Sequence, residues 1–190
     1  MVATTLAEVP LSRALELIDG GTALVDLRPI ADYLDVHVPG ALPLLYEAGP
    51  GMAGRARDCL PLSLPLLLAR RTDVDMANAA AALRGKGFGV LGVVDDIVNG
   101  WARARGTPAS TEVVTGPDRP AGTVLDVGDP RAPRVRDAVR VPVESLWGRT
   151  DELGDEDPIV VVSGAGVRAG LAVGILERGG RQPVVWRPHR

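Results

Sequence analysis

Cysteine is all but missing from this chain. One residue, Cys59, in 190 excludes an intramolecular disulfide and any thiol-rich metal centre. Histidine is nearly as scarce: with only His37 and His189, a zinc site has few ligands to draw on, and neither a metal nor another cofactor is expected. Lys86 is the only lysine, so arginine supplies the other positive charges. A basic surplus is also lacking. The formal net charge is -3 and the isoelectric point about 5.4, whereas a phosphate-binding nucleic-acid surface normally shows as excess positive charge. Long apolar runs are absent too, because the longest, "CLPLSLPLLLA" (Cys59 to Ala69), carries two prolines and is too short to span a bilayer. The opening "MVATTLAEVP" has neither the charged start nor the hydrophobic segment of a signal peptide. No nucleic-acid or membrane partner is expected, and the expected compartment is the cytoplasm.

What is present is ordinary globular composition, 46% apolar and 24% charged, arranged twice. "ALVDLRP" (Ala23 to Pro29) answers to "TVLDVGDP" (Thr123 to Pro130), "VPGALPL" (Val38 to Leu44) to "VRDAVRVP" (Val135 to Pro142), and "PLLLARRTDVDMANAAAALRGKGF" (Pro65 to Phe88) to "PIVVVSGAGVRAGLAVGILERGGR" (Pro158 to Arg181). The offsets shrink from 100 at Asp26/Asp126 to 97 at Ala41/Ala138 and about 94 at Ala69/Ser163. A second copy that lost a few loop residues twice explains this better than chance.

Short Val-, Leu- and Ile-rich runs without polar alternation suit strands covered on both faces, as in parallel sheets flanked by helices. "DMANAAAALRGKG" (Asp75 to Gly87) and "RAGLAVGILERGG" (Arg168 to Gly180) read as helices ending in glycine. Gly170 and Gly174 weaken the second helix by about 1 kcal/mol each, which close packing on a sheet would explain. "RARGTPASTEVVTGPDRPAG" (Arg103 to Gly122) has the composition of a linker. The expectation is an α/β protein of two domains, residues 1–110 and 111–190, each a central, mostly parallel sheet flanked by helices, with the second domain abbreviated.

"LVDLRPIADYLDVHVPGALPL" (Leu24 to Leu44), with its Asp-x-Arg turn, acidic-Tyr pair and His-x-Pro-Gly-Ala run, resembles the opening of the rhodanese-like (thiosulfate sulfurtransferase) family. "VVDDIVNGWARARGTP" (Val93 to Pro108) is similar to that family's closing helix with its tryptophan, here Trp101, although Asp95 and Asp96 replace the usual glycine pair. "VPVESLWGRTDELGDEDPIVVVSGAGVRAG" resembles the second half of a domain. In active members the resemblance implies a loop Cys-x-x-Gly-x-Arg-Ser, whose cysteine takes up sulfur as a persulfide. The second copy reads Ser163, Gly164, Ala165, Gly166, Val167, Arg168, Ala169, retaining the glycine and arginine but not the cysteine; the first copy, aligned from Ala69, retains none of the three.

Sulfur transfer needs a thiolate, and a serine hydroxyl cannot carry a persulfide. Ser163 as a hydrolase nucleophile would need a base and a group to orient it, and only His37 and His189 are available. The loop backbone suits a different task. Successive N–H groups of Gly164 to Arg168 at a helix start form a cradle for a small oxyanion or an acidic group of a partner protein, with Ser163 and Arg168 beside it. The alternative for Arg168 is an ion pair with an acidic neighbour. Asp26, Arg28 and Asp32 are expected to form the ion pairing that shapes the first turn, and Cys59 lies ahead of the strand, outside the loop position. "DELGDEDP" (Asp151 to Pro158) lacks calcium-loop spacing and reads as a solvated turn. The leading expectation is a binding, regulatory or protein-interaction module that has lost sulfurtransferase activity; the alternatives are a sulfurtransferase working through Cys59 or a hydrolase through Ser163.

Overall fold

The computed structural model describes residues 6–46, 51–162 and 166–188. Two parallel sheets dominate it. In the first, β1 (Ala23–Asp26) is central, flanked by β2 (Leu42–Pro43) and β3 (Leu66–Ala69), with β4 (Val90–Val94) beyond β3; every pairing is parallel. The second sheet runs β7 (Val139–Arg140), β6 (Thr123–Asp126), β8 (Ile159–Val162), β9 (Pro183–Arg187), β5 (Val113–Thr115), again parallel throughout. Buried side chains on both faces of β1 and β8 account for the unbroken apolar runs in the sequence.

Helices α1 (Leu11–Asp19), α2 (Ile30–Asp35), α3 (Gly51–Cys59), α4 (Met76–Gly85) and α5 (Ile97–Arg105) accompany the first sheet, and α6 (Gly166–Arg178) the second. The start of α4 follows from its sequence, because the Asp75 carboxylate accepts the Asn78 backbone N–H at 3.0 Å, satisfying one of the free donors of the first turn. Gly87 then leaves the helix at φ +99°, a conformation that glycine adopts without strain.

Strand order repeats: β2-β1-β3-β4 in one sheet, β7-β6-β8-β9 in the other, with β5 added at the edge. Register repeats as well. Val25 faces Leu42 and Leu68, while Leu125 faces Val139 and Val161. The Ala41/Ala138 equivalence expected from the sequence agrees with this register, but the next one shifts by a residue. Since Asp126 faces Val162, Ala69 at the end of β3 corresponds to Val162, so the counterpart of Ser163 is Arg70 and not Ala69. The apolar Ala69 looked like the start of a loop in the sequence; its hydrogen bonding makes it the last residue of the strand.

A single apolar cluster joins the two sheets, from Val25 and Leu68 through Leu42 to Leu125, Val161 and Leu176. Helix α6 makes the join. It covers its own β8 and β9 and also lies on β2 and α2 of the first sheet. A Cβ on Gly174 would stand 2.2 Å from the Ala41 carbonyl oxygen, and one on Gly170 3.0 Å from Ile30 Cγ2. These glycines therefore serve close packing, as expected, although against the first sheet.

The stretch read as a linker, Arg103 to Gly122, is more ordered than its composition suggested. Helix α5 continues to Arg105 and β5 occupies Val113–Thr115, because Val113 and Val114 find a parallel partner in Val185 and Trp186. Ala109 and His37 exchange backbone hydrogen bonds at 2.9 and 2.8 Å, and Thr111 donates to Leu34 O at 2.8 Å. Among the described residues no helix is long and apolar enough to cross a membrane.

Candidate functional site

In a parallel sheet the C-terminal edge is where strand ends and helix N-termini converge, and ligands bind there in open α/β sheets. The two edges here differ in how their arginines are partnered.

At the edge of the first sheet every loop arginine is committed. The Asp26 carboxylate receives the Arg28 backbone N–H at 3.0 Å and its guanidinium at 2.6 Å, and Arg28 also donates to Val36 O at 2.7 Å. Hydrogen bonding to Asp26 first, and its charge, raise the Arg28 pKa; Asp32 adds only its field, so the expected three-residue pairing reduces to Asp26 with Arg28. Arg70 is held between Glu8 and Asp95. Arg71 is bonded to Asp73 at 2.7 and 2.8 Å and to Leu27 O at 2.7 Å. A cavity of about 220 Å³ remains, lined by Asp26, Arg28, Arg70 and Asp96.

The second edge keeps the same first turn without the arginine. Asp126 accepts the Gly128 N–H at 2.9 Å as Asp26 accepts that of Arg28. Arg140, from β7, approaches Asp126 only to 3.8 Å. The edge opens into a cavity of about 720 Å³, lined by Asp126, Asp129, Gly166, Arg168, Ala169 and Arg187 among others. Arg187, at the end of β9, has its Nη2 3.7 Å from where a Cβ on Gly166 would stand. Its guanidinium thus lies over the first residue of α6. Arg187 is exposed and has no ion pair among the described residues, although it sits at the positive end of a helix.

Of the residues proposed from the sequence, Ser163, Gly164 and Ala165 lie outside the described residues, as does His189. Gly166 and Val167 open α6. Arg168 follows them and pairs with Glu144, in the 3₁₀ turn Val143–Ser145, at 2.8 and 2.5 Å. Glu144 raises the Arg168 pKa, first by hydrogen bonding. His37 is wholly buried, with Nδ1 2.7 Å from Tyr33 O and Nε2 3.0 Å from Glu177 on α6. Both nitrogens of that ring are therefore occupied.

Cys59 is where the structure adds most. It ends α3, 4% exposed, and lines a smaller cavity of about 320 Å³ shared with Arg55, Asp58, Glu144 and Arg168. The sequence placed it away from the loop; the fold brings it beside the loop arginine, because α3 packs on the 3₁₀ turn that carries Glu144. Burial first, then the charges of Glu144 and Asp58, push its thiol up from 9.0 to about 12, against the opposing pull of Arg168 and Arg55. Burial therefore disfavours the thiolate at this position.

Arg187, Arg55 and Glu177 escaped sequence reasoning. For Arg187 a signal existed: continuing the offset through the strands gives 92, pairing Arg187 with Asp95, one of the two residues already noted in place of glycine.

No protein-family model matches this chain, and no curated protein matches it. Among solved structures it is similar to a thiosulfate sulfurtransferase from Pseudomonas aeruginosa, with 16% identity and a TM-score of 0.43 over 95% of this chain and 43% of that one. It is also similar to two EanB variants in complex with hercynine, each 14% identical, with TM-scores of 0.47 and 0.45, over 97% and 98% of this chain and 59% of each of theirs. The chain spans about half the length of the structures it resembles.

Proposed function

We propose that this is a rhodanese-like protein of two halves that transfers no sulfur and holds a small oxyanion at the C-terminal edge of its second sheet. The observation that carries this reading is the contrast between the edges. Arg70 in the first is neutralised by Glu8 and Asp95. In the second, Arg187 stands in the place of Asp95, above the start of α6 and beside the larger cavity. A guanidinium next to a helix N-terminus is a like-signed pair, and an anion between them turns mutual repulsion into two attractions. Bound at this point, an anion would need no nucleophile.

Sulfur carriage would instead require an ionised thiol. The loop positions are Arg70 and Ser163, and the one cysteine is buried with its thiol pushed up to about 12. A second reading has one observation in its favour, that Cys59 and Arg168 share a cavity. Burial and the Glu144 charge weigh against it.

The test is a titration of the purified protein with inorganic phosphate, followed by calorimetry. Saturable binding is expected, weakened about tenfold or more by Arg187→Met and unchanged by Arg70→Met. Equal affinity in the parent and the Arg187→Met variant would overturn the reading.

A further inference from the structure

Sorting the arginines by partner isolates one. Most are hydrogen-bonded to carboxylates or carbonyls, and those without a partner among the described residues, such as Arg57, Arg134, Arg136 and Arg187, are exposed. Arg55 is the exception. It is partly buried, its Nη1 is out of contact with solvent and unpartnered, and its guanidinium makes no hydrogen bond or ion pair among the described residues. Asp58, three residues on along α3, is the natural i,i+3 partner, yet no Arg55–Asp58 contact falls within ion-pair distance. The side chain instead lines the 320 Å³ cavity between α3, the 3₁₀ turn Val143–Ser145 and the first turn of α6.

Four charged residues line that cavity: Arg55, Asp58, Glu144 and Arg168. Glu144 and Arg168 neutralise each other through two bonds at 2.8 and 2.5 Å. Asp58 is exposed and therefore well solvated, which leaves Arg55, with its Nη1 buried, as the charge on this wall without a bonded partner among the described residues. A buried donor without a partner costs about 1–3 kcal/mol, more when charged, and an anion in the cavity would remove that cost. Gly51 and Gly54 on the same wall leave room, since a Cβ on Gly54 would meet nothing within 4 Å.

We propose that this cavity is a second oxyanion site, separate from the one at the sheet edge, in which Arg55 is the principal ligand and Arg168, shared with the edge cavity, links the two. Cys59 forms part of its wall. The proposal does not depend on the edge site: each has its own arginine, and each can fail alone.

Crystals soaked in selenate test it, with anomalous scattering locating the anion, alongside the thermal midpoint measured against phosphate concentration. A selenium peak within hydrogen-bond distance of Arg55 is expected in the parent and in Arg187→Met, and not in Arg55→Met. In solution, phosphate should raise the midpoint of Arg187→Met, and the concentration needed should grow about tenfold or more on adding Arg55→Met. Arg55→Lys, which keeps the charge on a chain of similar volume, should retain part of the response and serves if the methionine variant does not fold. No peak beside Arg55, or a peak there that survives Arg55→Met, overturns the proposal. So does a peak with no phosphate response in Arg187→Met, which would mark an adventitious ion only.

Discussion

Replacing Glu177 by alanine should loosen the protein more than its place near the end of α6 suggests. Its carboxylate accepts the Gly40 N–H at 2.8 Å and meets His37 Nε2 at 3.0 and 3.1 Å. His37 is wholly buried and Glu177 only 13% exposed. Removing the carboxylate strands two polar groups where water cannot readily replace it, each at about 1–3 kcal/mol, so the expected loss is about 2–6 kcal/mol. In a chain of this size each kcal/mol moves the thermal midpoint by about 2–4 °C, so a fall of about 4–24 °C follows. Circular dichroism during heating, with urea unfolding as a second probe, reads this directly. Glu177→Gln keeps an oxygen for Gly40 and should lose about half as much. A Glu177→Ala midpoint within about 2 °C of the parent would refute the claim that this contact pins α6 to the first sheet.

Two glycine substitutions should have opposite signs. Gly174→Ala places a methyl 2.2 Å from the Ala41 carbonyl, and the overpacking, about 1–3 kcal/mol or more, outweighs the gain of about 1 kcal/mol in helix propensity. Gly54→Ala meets nothing within 4 Å and should stabilise α3 by about 0.5–1 kcal/mol; denaturant midpoints compare the two. The raised Cys59 pKa gives a pH dependence: its contribution is complete below about 9, where the unfolded thiol is still protonated, and is lost as pH rises from there towards about 12. Cys59→Ser should flatten that decline in a pH series of unfolding curves, and an unchanged slope would contradict it. Ser163→Cys, on the proposed alignment with the sulfur-carrying loop, should supply a thiolate that attacks the outer sulfur of thiosulfate, forming a persulfide as the thiosulfate S–S bond breaks and sulfite leaves, seen as one added sulfur atom by intact mass.

Much of the fold was legible because its signals are local. The runs "ALVD" and "IVVV" become the buried strands β1 and β8, and Asp75 caps α4 as an N-terminal acid should. Strand order, alike in the two sheets, depends on pairing that the sequence does not display. What remained hidden depends on distant contacts. Glu177 meets His37 across 140 positions, and neither residue's surroundings announce the other. The sequence allows an ion pair for Arg168, but naming Glu144 as its partner requires the 3₁₀ turn to be folded against α6. Distance along the chain separates Cys59 from the loop, whereas the fold brings it to a cavity shared with Arg168. Side-chain type and hydrogen bonding disagree at the end of β3, where the apolar Ala69 reads as a loop start but is the last strand residue, which moves the equivalence to Arg70.

The most direct measurement of the central claim is intact mass of the native protein after incubation with thiosulfate and removal of excess reagent. The account predicts an unchanged mass, because on the proposed alignment Arg70 and Ser163 stand where the thiol would be and burial raises the Cys59 pKa. Gain of one sulfur atom, lost again in Cys59→Ala, would contradict it.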